Sequence, residues 1–389
     1  MRWWIDFSKL SPRQHNIIAA IRNNPNQSHW VQGFAGSGKT LVLLHVMEQI
    51  AALYPSASLC YITYTNTLVA LVRTTPGYEK IARQADIQTY YKFLSNNKKY
   101  DFVFLDEVQD TERDKLPKIK ALANHLYVAG DPDQQIYEGC IDSNDIISTL
   151  QPQIHELLEV YRLTARLCGV ARAIMPDSRL AEGLKAHTNP NASITVMQAD
   201  GIDDEAEWVW GEASSRVKPG DPSVILFPHN DDIFDFTRFI AKRYKKHDPP
   251  KPAYIKGKRD YGPLNQFLET SNIPAMYLGG KFGSLPESDV RPIVYLMTYH
   301  SSKGLDFKNV FIPFLTASKS LISQNKLLTN PGLGRRILFV AVTRSRENLF
   351  ISYSGQNPHP YIAGLPMEGV TKTSLSSIQS VASTEEEFF

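Results

Sequence analysis

Short apolar runs separated by longer polar segments mark the first third of the chain. The runs do not alternate between apolar and polar residues, which is typical of strands buried on both faces of a sheet. They occupy residues 30–31, 59–62, 102–105 and 126–129. A helix is predicted after Ser11 and Pro12, because serine is a favoured N-cap and proline fits the first helical turn. This alternation predicts a parallel sheet with helices on both faces.

A second set of apolar runs follows residue 151, at residues 194–196, 224–227, 293–297, 310–313 and 349–353. A chain of 389 residues has room for two domains of ordinary size. We therefore predict an N-terminal domain over residues 1–150, a C-terminal domain over 151–364, and a flexible Ser/Thr-rich tail over 365–389. The Lys-, Pro- and Gly-rich stretch at residues 245–261 is predicted to be an irregular basic loop.

Composition indicates the general class of the protein but leaves its function open. The chain is 42% hydrophobic and 21% charged, which is typical of a globular protein. No uncharged apolar run approaches a membrane span and the first residues lack a signal-peptide core, so we expect a cytoplasmic protein without a membrane partner. The spacing of Cys60, Cys140 and Cys168 fits neither a disulfide framework nor a zinc site. A net charge of +2 permits a nucleic-acid partner without indicating one.

Residues 33–40 read G-F-A-G-S-G-K-T and match the phosphate-binding loop (P-loop) pattern G-x-x-x-x-G-K-[ST]. In this pattern Lys39 contacts the β- and γ-phosphates of ATP and the Thr40 hydroxyl binds Mg²⁺. The remaining residues expected around the phosphates are Gly33, Gly36, Ser37 and Gly38. The alternative is a chance match in a Gly/Ser-rich turn, which the predicted strand before it and helix after it disfavour.

An acidic pair, Asp106 and Glu107, follows the apolar run at residues 102–105. Ligands of open parallel sheets bind at the carboxyl ends of the strands, and a carboxylate there suits Mg²⁺. Glu107 is placed to take a proton from an attacking water as a general base. Alone, such a pair is more often a solvated loop end; after a P-loop, the catalytic interpretation is favoured.

Further segments occur in a characteristic order along the chain. They are Gln14, Tyr64-Thr65-Asn66, Gln88-Thr89-Tyr90, G-D-P-D-Q-Q-I-Y at residues 130–137, Tyr161-Arg162, T-Y-H-S-S-K-G-L-D-F at residues 298–307 and V-A-V-T-R-S-R at residues 340–346. Each segment alone is unspecific. Together with the P-loop they resemble the ordered motifs of superfamily-one helicases of the UvrD/Rep/PcrA type, and the K-G-L-D-F form resembles the UvrD-like branch.

The resemblance implies two tandem RecA-like α/β domains with parallel sheets and an ATP site in the cleft between them. It implies that Gln14 reads the adenine, Tyr161 stacks on it and Gln134 senses the γ-phosphate. It also places Arg162 on the second domain together with Asp306 and Arg344. The two arginines would neutralise charge on the transferring phosphoryl group.

By the same resemblance, single-stranded nucleic acid, DNA rather than RNA, would lie across both domains and be moved in the 3′-to-5′ direction by ATP-driven closure. The candidate contacts are Tyr64, Thr65, Asn66, Thr89, Tyr137 and His300. Their aromatic and hydroxyl groups suit base stacking and phosphate hydrogen bonds.

The sequence also departs from the family pattern. About fifteen residues separate Thr89 from Asp106, and few separate Tyr277 from Ile293, so neither of the family's two large inserted subdomains has room. Gly139 stands where the family has a stacking tryptophan. These departures imply a short form in which ATP hydrolysis and translocation are retained and processive unwinding by this chain alone is not expected. They also leave open a second function class, a nucleotide-gated DNA sensor or regulatory subunit of a nuclease-containing repair or anti-phage complex.

The acidic and aromatic end of the chain, residues 385–389, has two interpretations. It could dock into a basic groove of a partner protein, or it could be a frayed terminus, which is the favoured alternative.

Overall fold

The computed structural model describes residues 4–178, 180, 183, 192–255, 258–322, 330, 332–366 and 368–376, apart from the side chains of Asp133 and Lys258. The chain divides into two compact units. The N-terminal unit runs to Arg162 and includes Gly183, and the C-terminal unit contains most of the chain from Leu163 onward. Within the described ranges, no helix is both long and apolar enough to cross a membrane.

The N-terminal unit is built on one sheet. Its strands are β1 His29–Gly33, β2 Leu59–Thr63, β3 Ala85–Thr89, β4 Tyr100–Leu105, β5 Ala123–Gly130 and β6 Gln153–Leu157. Its helices are α1 Pro12–Asn23, α2 Lys39–Leu53, α3 Asn66–Arg73, α4 Pro76–Ile81, α5 Tyr90–Asn96, α6 Leu116–Ala121 and α7 Ser143–Leu150. All six strands are parallel, in the order β3-β2-β4-β5-β1-β6.

Helices cover both faces of this sheet because the strands are apolar on both sides. In β2, Tyr61 packs into one core cluster with side chains of α1 and α2, such as Ile17 and Val42. Its neighbour Ile62 packs into the other cluster with side chains of α5 and α6, such as Phe93. Successive strand residues point to opposite faces, so one strand supplies both cores. This confirms the predicted two-faced parallel sheet.

The start of α1 also agrees with the prediction. The Ser11 hydroxyl accepts a hydrogen bond from Gln14 N at 3.2 Å, and Gln14 Oε1 accepts one from Ser11 N at 3.0 Å. Pro12 occupies the first helical turn. This reciprocal cap fixes the first turn of α1 and the side chain of Gln14, which lies beside the candidate site described below.

The C-terminal unit carries a larger sheet. Its strands and hairpin are β7 Ser193–Ala199, β8 Ser223–Phe227, β9 Ala253–Ile255, β10 Lys258–Asp260, β11 Ala275–Tyr277, β12 Val294–Thr298, β13 Phe307–Ile312, β14 Ser345–Ser354 and β15 Thr371–Ser374. Its helices are α8 Ala165–Ile174, α9 Ile202–Ser215, α10 Asn230–Arg243, α11 Gly262–Thr270, α12 Leu333–Val342 and α13 Pro360–Ala363.

Seven of these strands form a parallel sheet in the order β11-β12-β8-β13-β14-β7-β15, and β9 and β10 form a separate antiparallel hairpin. All five apolar runs predicted for this region lie in or at the ends of its strands. With two parallel-sheet α/β units, the predicted fold class of two tandem RecA-like domains is confirmed.

The boundary predicted after residue 150 is earlier than the division in the structure. Strand β6 pairs in parallel with β1, with Trp30 opposite Ile154 and Gly33 opposite Leu157. The N-terminal unit therefore continues to Arg162. The strand was missed because it lies at the sheet edge and buries only His155 and Leu157, so it lacks an apolar run.

Two segments predicted to be irregular contain regular structure. The basic stretch at residues 245–261 includes the β9–β10 hairpin. The stretch from residue 365 includes β15, which pairs in parallel with β7. The candidate docking peptide at residues 385–389 lies outside the described residues.

A buried histidine pair joins β1 to β6. His29 Nε2 is 2.8 Å from the carbonyl oxygen of Asn24, so this nitrogen carries the proton and donates it. His29 Nδ1 is then the acceptor, and His155 Nε2 donates to it at 3.0 Å. Burial lowers the pKa of His29. Burial, followed by the charges of His29 and Arg13, lowers the pKa of His155 to about 4.

This pair should make folding of the N-terminal unit sensitive to acid. Both histidines protonate more readily when unfolded, so stability is full above pH ~6.5 and falls as the pH drops toward about 4. We expect His155→Gln, which keeps a donor for His29, to recover on the order of 1 kcal/mol of the acid-induced loss in unfolding free energy. Urea titrations at several pH values measure this. His247→Gln, at an exposed histidine of the other unit, is the control, and an unchanged pH slope in His155→Gln would contradict the expectation.

Candidate functional site

The P-loop turn lies between β1 and α2, as predicted. Gly36 and Gly38 adopt φ values of 77° and 87°, in the left-handed region that favours glycine. A Cβ atom at Gly36 would lie 2.7 Å from Arg162 Cβ, and one at Gly38 would lie 2.6 Å from Gln14 Nε2. The turn therefore requires glycine for both its backbone conformation and its close neighbours.

Two side chains of this turn are buried polar groups. Lys39 Nζ donates to the carbonyl oxygens of Gly33 at 2.8 Å and Phe34 at 3.0 Å. Its ammonium group thus lies across the turn, where phosphate oxygens could replace the carbonyls. The Ser37 hydroxyl is buried and, in the described part of the chain, has no hydrogen-bond partner. An unsatisfied buried hydroxyl inside a left-handed glycine turn fits a site for an oxygen-rich anion.

Gln14 lies directly beside the turn. Its Oε1 is held by the cap of α1, and its Nε2 donates to the carbonyl oxygen of Ser37 at 3.2 Å. Only 5% of Gln14 is exposed. The structure therefore places Gln14 at the predicted nucleotide site, and its reading of adenine stays a prediction.

Three donors converge on the carboxylate of Asp106 at the end of β4. Oδ2 accepts hydrogen bonds from the Thr40 hydroxyl at 2.6 Å and the Tyr61 hydroxyl at 2.8 Å. Oδ1 accepts one from Glu107 N at 3.0 Å. Burial, followed by the charge of Glu107, raises the pKa of Asp106 above its ordinary value. Burial and the charge of Asp106 raise the pKa of Tyr61, so Tyr61 stays a protonated donor.

The oxygen atoms of Thr40 and Asp106 are suitable ligands for Mg²⁺ bound together with a nucleotide. Mg²⁺ prefers oxygen ligands and in such sites takes one or two from the protein and the rest from phosphates and water. Thr40 and Asp106 bring one hydroxyl and one carboxylate within 2.6 Å of each other. Within the described ranges, no group of three or more His, Cys, Asp or Glu could form an all-protein metal site.

Glu107 is held in an unusual conformation by its neighbours. Its φ of 54° is left-handed, which costs a non-glycine residue about 1 kcal/mol or more. Gln109 Nε2 donates to Glu107 Oε2 at 2.6 Å, and Gln109 Oε1 accepts from Asp131 N at 3.1 Å. Asp131 in turn accepts from Gln134 Nε2 at 2.7 Å. Gln109 thus connects the predicted base to the predicted γ-phosphate sensor.

Sequence reasoning assigned no role to Tyr61 or Gln109. Tyr61 lies in a continuous apolar run, where a tyrosine is indistinguishable from an ordinary core residue. Gln109 had a usable signal, because it lies two residues after Glu107 within the D-E-V-Q-D segment.

The structure corrects the assignment of Tyr161 and Arg162 to the second domain. Tyr161 N donates to the carbonyl oxygen of Gly36 at 3.1 Å, and Arg162 lies against Gly36. Both residues belong to the N-terminal unit. The reason is β6, which returns the chain beside β1 and ends next to the P-loop turn. Tyr161 is 37% exposed and its hydroxyl donates to Glu159.

Arg344 and Asp306 lie in the C-terminal unit, as predicted. Arg344 is only 2% exposed, and its guanidinium donates to the carbonyl oxygens of Val340 at 2.8 Å and Leu305 at 3.1 Å. Its own carbonyl oxygen accepts from Phe307 N at 2.8 Å. Asp306 lies 3.3 Å from Arg346 Nε. The 298–307 and 340–346 segments are therefore joined through Arg344, and its contact with a phosphate stays a prediction.

The candidate nucleic-acid residues of the N-terminal unit follow strand ends. Tyr64 and Thr65 follow β2, Thr89 ends β3 and Tyr137 lies in the loop after β5. Asn66 begins α3 and is exposed. Because these strands are parallel, all five lie at the edge of the sheet that also carries the P-loop.

The ring of Tyr64 already has a partner. It stacks on Tyr90 with 4.9 Å between ring centroids, and its hydroxyl is 2.9 Å from Thr111 Oγ1. The Thr65 hydroxyl caps α3 by accepting from Leu68 N. These two residues therefore shape the edge of the sheet. In the C-terminal unit, His300 is partly exposed in the turn after β12.

Two family models match the chain. The model of the UvrD-like helicase C-terminal domain matches residues 254–356, and that of an AAA domain matches residues 14–140. The second match contains the P-loop and the Asp106–Gln134 hydrogen bonds, and the first contains His300, Asp306 and Arg344.

Several curated relatives are helicases. A probable DNA helicase II homolog of Mycoplasma capricolum is 26% identical over 213 residues, covering 50% of this chain and 28% of its own length. The putative ATP-dependent DNA helicase R568 of Acanthamoeba polyphaga mimivirus is 21% identical over 293 residues, covering 71% of this chain and 37% of its own length. The ATP-dependent DNA helicase Rep of Buchnera aphidicola is 40% identical over 62 residues, 15% of this chain and 9% of that protein. The chain thus spans well under half the length of these relatives.

Solved structures with distant likeness include an arterivirus nonstructural protein 10 helicase in complex with DNA, at 14% identity and a TM-score of 0.42, covering 90% of this chain and 65% of that one. The PRRSV helicase has 15% identity and a TM-score of 0.42, covering 87% of this chain and 54% of that one. The likeness to helicases therefore rests on the two family models, the helicase relatives and the motifs that the structure brings together around the P-loop. On this evidence, the chain is similar to UvrD/Rep-like DNA helicases over the two matched regions.

Proposed function

We propose that this chain is a cytoplasmic enzyme that binds and hydrolyses ATP and uses the cycle to move along single-stranded nucleic acid. The observation that carries the proposal is a continuous series of hydrogen bonds from the P-loop helix to the predicted γ-phosphate sensor. The series runs through Thr40, Asp106, Glu107, Gln109, Asp131 and Gln134. It gives the loops after β4 and β5 a direct connection to the phosphate end of the site.

In this proposal the residues of the series and the neighbouring Lys39 have separate tasks. Lys39 binds the β- and γ-phosphates, and Glu107 accepts a proton from the attacking water while Gln109 orients its carboxylate. Mg²⁺, when bound by Thr40 and Asp106, would neutralise charge on the phosphate oxygens. Gln134, through Asp131, reports whether the γ-phosphate is present.

The remaining assignments rest on the family resemblance and on placement. Gln14 and Tyr161 lie beside the P-loop and would bind adenine, and Arg162 lies against Gly36 and would contact the phosphates. Arg344 would contribute a second arginine from the C-terminal unit. DNA rather than RNA, with 3′-to-5′ movement, follows from the family alone.

Nucleic acid would bind at the strand ends of both units. In the N-terminal unit, Tyr64, Thr65, Asn66, Thr89 and Tyr137 share the sheet edge that carries the P-loop. In the C-terminal unit, His300 lies in a turn that Arg344 joins to the 340–346 segment. Binding of nucleic acid at these loops would therefore act on the same segments that hold the proposed catalytic groups.

A second candidate is a nucleotide-gated DNA sensor or regulatory subunit of a nuclease-containing repair or anti-phage complex. The observation that favours it is the connection from β3 to β4, which is filled by the single helix α5 and carries no inserted domain. Streptavidin displacement from single-stranded DNA separates the two candidates. ATP-dependent displacement supports the motor, whereas DNA-dependent ATP hydrolysis without displacement supports the sensor.

ATP hydrolysis should depend on Lys39 and Glu107. We expect Lys39→Ala to abolish tight ATP binding and Glu107→Gln to lower kcat by about 100- to 10,000-fold while ATP still binds, because only the base is lost. Steady-state ATPase assays with and without oligo(dT), together with ATP-binding titrations, measure this. Lys99→Ala and Glu79→Gln, at exposed positions of the same unit, are matched controls. Full activity in Glu107→Gln would refute its role as the base.

Binding of Mg²⁺ should depend on Tyr61, which donates to the proposed metal-binding carboxylate of Asp106. We expect Tyr61→Phe to raise the half-saturating Mg²⁺ concentration for ATPase about tenfold, with a smaller change in kcat at saturating Mg²⁺, because the carboxylate loses one orienting donor. Binding of Mn²⁺ measured by electron paramagnetic resonance should weaken in parallel. Tyr127→Phe is the matched control, since Tyr127 is equally buried in the same sheet but donates to Pro25 O. An equal metal effect in both variants would contradict a specific role for Tyr61.

A further inference from the structure

The β9–β10 hairpin is a small sheet that stands apart from the seven-stranded sheet of its unit. Tyr254 pairs with Arg259 across the two strands. Tyr254 is 68% exposed and Ile255 is 55% exposed, which makes this one of the most exposed apolar surfaces among the described residues. An exposed aromatic ring on a fixed hairpin is a candidate interaction surface.

Arg259 fixes the ring of Tyr254. Its Nε donates to the Tyr254 hydroxyl at 2.9 Å, and its guanidinium carbon lies 5.4 Å from the ring centroid. The same guanidinium is ion-paired with Asp231, in the first turn of α10. The ring is therefore held in place while most of its surface faces solvent, and little side-chain entropy is lost when a ligand stacks on it.

A short series of contacts leads from the hairpin to the turn that carries His300. Asn230, adjacent to Asp231, accepts a hydrogen bond from the Tyr277 hydroxyl at 3.3 Å. A Cβ atom at Gly279, two residues later, would lie 3.1 Å from Ser301 Oγ. The hairpin therefore flanks the edge formed by the ends of β8, β11 and β12.

The segment between α10 and the hairpin carries three lysines and one acidic residue, Asp248. Lys245, Lys246 and Lys251 are exposed, and within the described ranges none of them forms an ion pair. Arg238 and Arg243, earlier on α10, are by contrast paired with Asp248 and Glu207. The acidic residue of this segment is therefore already paired with Arg238, and its three lysines remain available for a ligand.

We propose that the hairpin is an additional contact surface for single-stranded nucleic acid, on which Tyr254 stacks against a base and Lys245, Lys246 and Lys251 bind phosphates. This inference rests on the proposed function, which supplies the ligand class. An aromatic face accepts any base, and unpaired lysines bind the backbone, so binding is independent of sequence. Single strands fit better than duplex, because base faces inside a duplex are already covered by their neighbours.

The test is fluorescence anisotropy of the full chain with labelled oligo(dT), oligo(rU), a blunt DNA duplex and an oligonucleotide with abasic sites. We expect Tyr254→Ala to weaken oligo(dT) binding about tenfold, and Tyr254→Phe, which keeps the ring, to weaken it less. The loss in Tyr254→Ala should disappear on the abasic strand and on the duplex. An equal loss on oligo(dT) and the abasic strand would overturn stacking. Comparison of oligo(dT) with oligo(rU) shows which sugar the surface accepts.

The lysines are tested by the salt dependence of binding. Replacing Lys246 and Lys251 with Gln should lower the slope of log Kd against log salt concentration by about 1.4, because two phosphate contacts are lost. Replacing Lys218 and Lys372, exposed lysines elsewhere in the same unit, removes equal charge and should leave the slope unchanged. Equal slopes in both double variants would overturn the assignment of phosphate contacts to this segment.

Failure of this inference is separable from failure of the proposed function. If the wild-type chain binds oligo(dT) and its ATPase responds to it, but Tyr254→Ala binds equally well, the hairpin surface is refuted and the motor stands. If binding depends on Tyr254 while ATP hydrolysis ignores DNA, the hairpin surface stands and the motor is refuted. If the wild-type chain binds no single strand, both are refuted.

Discussion

The nucleotide end of the N-terminal unit depends on one buried carboxylate. Asp106 is 2% exposed, and a charge so far from water is tolerated only when donors surround it. Those donors are the Thr40 hydroxyl from α2, the Tyr61 hydroxyl from β2 and the backbone N–H of Glu107. One requirement therefore fixes three elements at once. The P-loop helix, the neighbouring strand and the left-handed turn at Glu107 meet because Asp106 must be satisfied.

Much of this unit could be predicted from the sequence because its signals are local. The P-loop glycines are needed for backbone conformation, and the strands β1, β2, β4 and β5 are continuous apolar runs. The features that sequence reasoning missed depend on tertiary neighbours. In the sequence Tyr61 looks like an ordinary core tyrosine, and only the order of the strands shows that it lies beside Asp106. Likewise, the residues of β6 look like a polar loop, and only their pairing with β1 shows that they form a strand. Because β6 was not predicted, Arg162 was assigned to the wrong domain.

The C-terminal unit shows the same dependence on buried polar groups. Arg344 is satisfied by the carbonyl oxygens of Val340 and Leu305, so two segments distant in sequence form one rigid piece. Glu205 at the start of α9 acts similarly, since its Oε1 accepts from Phe314 N at 2.6 Å and from the Ser352 hydroxyl at 2.7 Å. Such contacts fix the positions of the loops at the strand ends. The secondary-structure propensities of the residues give no indication of these contacts. The segments themselves were identified only by their resemblance to the ordered motifs of the helicase family.

The return of the chain through β6 has a mechanical consequence. The peptide that leaves the N-terminal unit passes directly over its P-loop, held by Tyr161 N on the carbonyl oxygen of Gly36 and by Val160 N on that of Gly183 at 2.7 Å. Arg162 also lies against Gly36, where a Cβ atom would meet Arg162 Cβ at 2.7 Å. A displacement of this turn is therefore transmitted to the covalent connection itself. Residues 160–162 would therefore link the conformation of the glycine turn to the polypeptide that leads out of the unit.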